Sequence, residues 1–151
     1  MNQYDHFLAT VRNAYKISDI DGDGKKDILV PQGIIWMQGE SDAVYSEEVA
    51  MKYYNNLKRL TDLIRAAFLH DDLPVVIGRI SDSYNDEKGK VWDYLELVQY
   101  AQEKFVLTDN KAVIVRETKD YNYSDPWHYD SQGYIDLGKQ FANKLIELIN
   151  K

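Results

Sequence analysis

"GIIWMQGESD", residues 33–42, passes from an apolar run rich in β-forming residues straight into a polar turn around a second glycine. Bounded by Pro31 and Gly33 on one side and Gly39 on the other, "GIIWM" is too short for a core helix and fits a buried strand. Two further runs have the same character, "LPVVIGRI" at 73–80 and "AVIVRE" at 112–117. Helical periodicity fills the intervals. Phe7, Leu8, Val11 and Tyr15 predict an amphipathic helix over 4–16. A long helix opens at Ser46, whose hydroxyl can cap free amides while Glu47 and Glu48 favour the positive end of the dipole; Leu57, Leu60, Ile64 and Phe68 mark its inner face. "VWDYLELVQYAQEKF" at 91–105 turns Trp92, Leu95, Val98 and Phe105 inward, and a last helix carries Tyr134, Phe141, Leu145 and Leu148. Strands alternating with such helices pair in parallel through right-handed crossovers, which gives a layered α/β sandwich. In an open parallel sheet the site forms beyond the carboxyl ends of the strands. Those ends lead here into "QGESD", "SDSYND" and "TKDYNYSDPWH".

The 151 residues suit one domain with a substantial core, with a calcium-type loop at 19–30 inside it. With 25 acidic against 18 basic residues, a net charge of -7 repels phosphate backbones and anionic lipid surfaces, so neither nucleic acid nor membrane is an expected partner. The absence of cysteine excludes disulfides, thiolate nucleophiles and cysteine zinc sites. "MNQYDHFLATVRNAY" lacks the cationic and apolar stretches of a signal peptide, and the compartment stays open.

In "SDPWHYDSQGY", residues 124–134, Asp125 stands three places before His128. A histidine whose Nδ1 donates to a carboxylate keeps Nε2 free as a general base. The same residues also fit a proline turn whose histidine is satisfied by backbone. Gln38 and Glu40 flank Gly39 just past a strand, where a glycine lets the backbone approach a ligand and a side-chain amide can donate to an oxyanion; a polar loop that merely caps amides is the alternative. "DIDGDGKKD" places Asp19, Asp21, Asp23 and Asp27 at positions one, three, five and nine of a calcium loop, with the Lys25 carbonyl at seven and Gly24 at six. Position twelve is Val30 in place of the bidentate glutamate, so a structural Ca²⁺ and a solvated acidic turn are both open. His6 and His70 fit helix positions without a catalytic context. Trp36 and Trp92 read as core, whereas Trp127, among polar loop residues, is a candidate substrate platform.

"GIIWMQGESDA", "LPVVIGRISD", "VWDYLELVQYAQ" and "SDPWHYDSQGYIDLG" together resemble the sialate O-acetylesterase and carbohydrate esterase family 6 group of the SGNH hydrolases, over most of residues 31–142. The resemblance implies a flavodoxin-like three-layer α/β/α sandwich that removes acetyl groups from sugars or small acetyl esters without a cofactor for catalysis. It implies His128 as general base and Asp125 as its orienting acid. The same resemblance implies Gln38 in the oxyanion-hole position and Glu40 as a further site carboxylate able to share the acid's role.

The family's nucleophile has no counterpart here. Its serine belongs to a glycine-glutamine-serine-asparagine motif after the first strand, and none of the serines at 18, 41, 46, 81, 83, 124 and 131 has that context. A flavodoxin-like sheet has five strands and three are evident, so the sheet is expected to be incomplete. The sequence is thus expected to be a C-terminal part of a longer enzyme, or a short form completed at the 33–37 edge by a second copy or a partner chain. Alone it would be inactive or weak. Ser41, in glycine-x-serine-x-alanine, is the one internal alternative nucleophile. A non-catalytic, calcium-stabilised sugar-binding or assembly module is the rival reading.

Overall fold

The structure, a computed structural model, describes residues 2–150, which fall into two compact units divided after Pro31. In the first unit, helix α1 (Gln3–Ala14) begins in a reciprocal capping box: the Asn2 side chain accepts from the Asp5 amide, and Asp5 accepts from the Asn2 amide. This satisfies two of the donors that any helix start leaves free. The 18–27 loop after it closes through the Asp27 amide donating to the Ser18 carbonyl at 2.7 Å.

The second unit is built on three strands, β1 (Ile34–Trp36), β2 (Val75–Gly78) and β3 (Ala112–Val115), all parallel and in the order β1-β2-β3. Ile34 is in register with Val75, and Val75 in turn with Ala112. Helices α2 (Asp42–Tyr45), α3 (Glu47–Phe68), α4 (Leu95–Thr108) and α5 (Ser131–Ile149) complete it. Successive residues of a strand face opposite sides, and β2 is buried on both. Val75 and Ile77 pack with Leu57, Val98 and Phe105 of α3 and α4, while Val76 and Val115 pack with Leu137, Phe141 and Leu148 of α5. The unit is therefore an α/β/α sandwich on a parallel sheet. Each fully buried valine or isoleucine of β2 contributes about 1.5–3 kcal/mol.

Local chemistry shifts several expected positions. Ser46 does cap α3, its Oγ accepting from the Val49 amide at 3.2 Å, but α2 precedes it. The face of α3 turned inward carries Ala50, Tyr53, Leu57, Thr61 and Arg65, with Leu60, Ile64 and Phe68 half-buried beside it. An arginine is admitted because its guanidinium is fully used: it donates to the Leu73 carbonyl at 3.0 and 3.1 Å and to both Asp109 oxygens at 2.6 and 3.3 Å. Helix α4 starts at Leu95, after Trp92, because the Asp82 carboxylate holds the amides of Val91 and Trp92 in a turn. Tyr134 lies on the exposed side of α5, its ring against that of Tyr129.

Among the described residues no helix is long and apolar enough to cross a membrane.

Candidate active site

The carboxyl end of β1 runs into Gln38, Gly39 and Glu40. Gly39 has φ +146°, and a Cβ there would come within 2.8 Å of Val98 Cγ1 and 3.3 Å of Ile80. The glycine at this corner thus has a packing reason, since the backbone is pressed against the core between β2 and α4. The Gln38 carbonyl accepts from the Tyr53 hydroxyl at 2.6 Å and from Gln102 Nε2 at 3.1 Å. Burial pushes the Tyr53 hydroxyl up to about 12, so it stays a donor. Gln102, 0% exposed, also donates to the Gly78 carbonyl and accepts from the Ile80 amide. One side chain therefore joins the carboxyl ends of β1 and β2. The Gln38 amide donates to Asp42 Oδ2 at 2.7 Å, which leaves its second N–H available.

Glu40 is half-buried, and desolvation raises its carboxyl above the ordinary value against the pull of its own and the Gly39 amides. Its charge in turn contributes to raising the hydroxyls of Tyr53, Tyr123 and Tyr129, which brings the β1 corner into the field of the histidine loop.

Beyond β3, Tyr123 and Tyr129 form an antiparallel bridge that closes residues 124–128 into a tight loop. The Ser124 amide donates to the His128 carbonyl at 2.9 Å. Asp125 Oδ1 accepts from the amides of Trp127 and His128, both at 2.8 Å, and the His128 Nδ1 lies 2.8 Å from Oδ2 and 3.0 Å from Oδ1. The pairing with His128, together with those amides, holds the Asp125 carboxyl below its ordinary value. With Nδ1 engaged, Nε2 is left for proton transfer, and the pair is exposed to solvent.

The loop is fastened from below by residues that periodicity does not reveal. Ser81 Oγ, buried after β2, donates to the Thr118 carbonyl at 2.9 Å and meets the hydroxyls of Tyr123 and Tyr129 at 2.7 and 2.8 Å. Ser83 Oγ donates to the Pro126 carbonyl at 2.8 Å. Tyr129 packs edge-on or tilted against Tyr121, Tyr123 and Tyr134. Asp130 then caps α5, accepting from the Gly133 amide. Gln102 had a detectable signal: it takes a turn on the stripe of Leu95, Val98 and Phe105, where a polar residue needs partners. Ser81 and Asp82 had only their place beyond a strand end.

Ser41 sits in ordinary right-handed helical conformation, φ −64° and ψ −39°, exposed at the start of α2. That is not the strained strand-to-helix turn of a nucleophile elbow. Trp127 is 57% exposed.

In the first unit, carboxylate oxygens of Asp19, Asp21 and Asp27 lie within 4.8 Å of one another. Asp23 is not among them, its Oδ2 being 2.7 Å from Lys25 Nζ and its Oδ1 accepting from the Lys25 amide. Asp19 also holds the amides of Gly22 and Gly24, and Asp27 that of Ile20.

A family model described as carbohydrate esterase, sialic acid-specific acetylesterase, matches residues 2–147. The chain belongs to this family. Among solved structures, a protein of Arabidopsis thaliana is similar over 95% of this chain and 52% of its own, with a TM-score of 0.71 and 22% identity. A carbohydrate acetylesterase of Xanthomonas citri is similar over 69% of this chain and 23% of its own, with a TM-score of 0.50 and 19% identity. These likenesses support the fold of this sialic acid-specific acetylesterase family member. The chain spans about half the length of the Arabidopsis protein. No curated protein matches it.

Proposed function

We propose that this chain is the histidine-bearing part of a carbohydrate O-acetylesterase, and that its nucleophilic serine is supplied by polypeptide outside these residues. The observation that carries the reading is the Asp125–His128 pair, with Nδ1 engaged, on a loop that follows the carboxyl end of a parallel strand. In the reaction the serine attacks the acetyl carbonyl while His128 Nε2 takes its proton. The second N–H of Gln38 donates to the oxyanion, His128 returns the proton to the departing sugar hydroxyl, and water then cleaves the acetyl-serine by the same relay. Glu40 adds a carboxylate whose charge reaches the tyrosines that flank the loop.

The missing segment fits at β1. Among the described residues only β2 pairs with this strand, so the amide and carbonyl of Ile35 face away from the sheet, and its side chain is 46% exposed. A strand added there, from the rest of a longer chain, a partner or a second copy, would extend the sheet towards five strands. A structural Ca²⁺ held by Asp19, Asp21 and Asp27 is proposed on the same footing: millimolar calcium raises the melting temperature, Asp21→Ala abolishes the rise, and no rise discards the metal.

The test is acetate release from an acetylated sugar and from an aryl acetate, with the chain beside its His128→Ala and Ser41→Ala variants. Silence from all three is the expected result, with activity restored when the upstream or partner segment is co-expressed. Turnover by the chain alone that Ser41→Ala abolishes would sink the proposal. Saturable sugar binding without turnover, even in the completed assembly, would favour the non-catalytic module.

A further inference from the structure

Two residues other than glycine have positive φ among the described residues, Leu69 and Tyr84, both at φ +53°. Leu69 has an ordinary reason: it ends α3 in a left-handed cap, with its own amide bonded to Ala66 and that of His70 to Arg65. Tyr84 ends no helix. A bulky side chain in this region is strained, and the strain is imposed by a built device. The buried Asp82 carboxylate accepts from the Tyr84 amide at 2.7 Å while also holding the amides of Val91 and Trp92. Ser83 completes it, bonding the Asn85 amide with the same hydroxyl that donates to Pro126.

The product of this arrangement is an aromatic ring 64% exposed to water, one residue from the bond that ties its loop to the loop carrying Trp127. Strain of this kind persists where the surroundings over-determine it, and it concentrates at ligand sites. Tyr84 is not among the buried residues of either core cluster. We infer that Tyr84 and Trp127 form a two-aromatic platform for a pyranose ring, which seats the sugar of an O-acetylated carbohydrate beside His128. The inference rests on the esterase reading for its ligand. An aromatic face turned to water at the rim of a polar site recognises the C–H face of a sugar, and leaves the ring hydroxyls and their acetyl group for Gln38, Glu40 and His128.

The experiment titrates the chain with an acetylated xylo-oligosaccharide and with its deacetylated counterpart, following tryptophan fluorescence, with Trp127→Phe to identify the contribution of that residue, and amide shifts, alongside thermal melts. Tyr84→Gly is the informative variant because glycine accepts this φ without strain. The expected result is binding weakened by roughly three- to tenfold, the loss of one stacking face, with a melting temperature no lower than wild type. Tyr84→Phe retains affinity. Wild-type affinity in Tyr84→Gly overturns the inference, as does a wild-type chain that shows no saturable response to either sugar. Failure of the esterase reading looks different: no acetate is released in any assembly, yet sugar binding still depends on Tyr84.

Discussion

Asp125 and Glu40 are carboxylates moved in opposite directions by opposite causes, and pH separates them. Asp125 titrates below its ordinary value because His128 and two amides favour its charge. A depressed value means that its contribution is complete above the ordinary aspartate pKa and is lost as pH falls through the lowered one. The protection of the Trp127 and His128 amides, measured against their intrinsic exchange, should therefore fall only below about pH 4, and in Asp125→Ala it should be lost at neutral pH. Glu40 is raised by burial, so the fold favours its protonated form. That preference is complete below the ordinary glutamate value of 4.5 and disappears as pH rises through the raised one. Glu40→Gln should melt higher than wild type at pH 8 and match it below pH 4. Aspartate three places before histidine was readable in the sequence because the loop that joins them is local. Ser81, which meets Tyr123 and Tyr129 across more than forty positions, was not.

At the scale of elements, helix ends and strand joints carry the stability that can be tested. Leu69 is 94% exposed in a left-handed cap, so Leu69→Gly loses no packing and should stabilise the protein by about 1 kcal/mol in urea denaturation. Gln102→Leu keeps the volume of the helix face but deprives the Ile80 amide and the Gly78 carbonyl of a partner. It should cost about 2 kcal/mol or more. Among the described residues periodicity found the three strands and the helices α1, α3, α4 and α5; burial of an apolar stripe accounts for the last three, whereas α1 buries no residue fully. Periodicity placed the inner face of α3 slightly off, because hydrophobic spacing cannot anticipate an arginine satisfied by Leu73 and Asp109. It also began α4 too early, the Asp82 turn being a side-chain choice that leaves no periodic mark.

At the largest scale, β1 ends the sheet of the second unit, paired with β2 alone among the described residues. An edge strand with free amides and an exposed isoleucine invites another strand. Sedimentation should show the wild-type chain self-associating as concentration rises and Ile35→Lys remaining monomeric. The α/β class and a sheet of three parallel strands were legible from three apolar runs. The strand order β1-β2-β3 sets each strand beside the one before it in the chain, with helices in the connections. That order has a kinetic side. Each strand joins its immediate predecessor in the chain, so the sheet can grow in the direction of synthesis. The loop bearing His128 sits between the last strand and α5, its Tyr129 packed with the residues that α5 covers and its Asp130 starting that helix. Asp125 and His128 are held to each other by contacts inside the loop, and Ser81 and Ser83 fasten that loop to the segment after β2, while α5 covers Val76 and Val115 behind it. A nascent chain that has passed His128 but not yet made α5 thus carries this pair on a loop whose covering helix is absent.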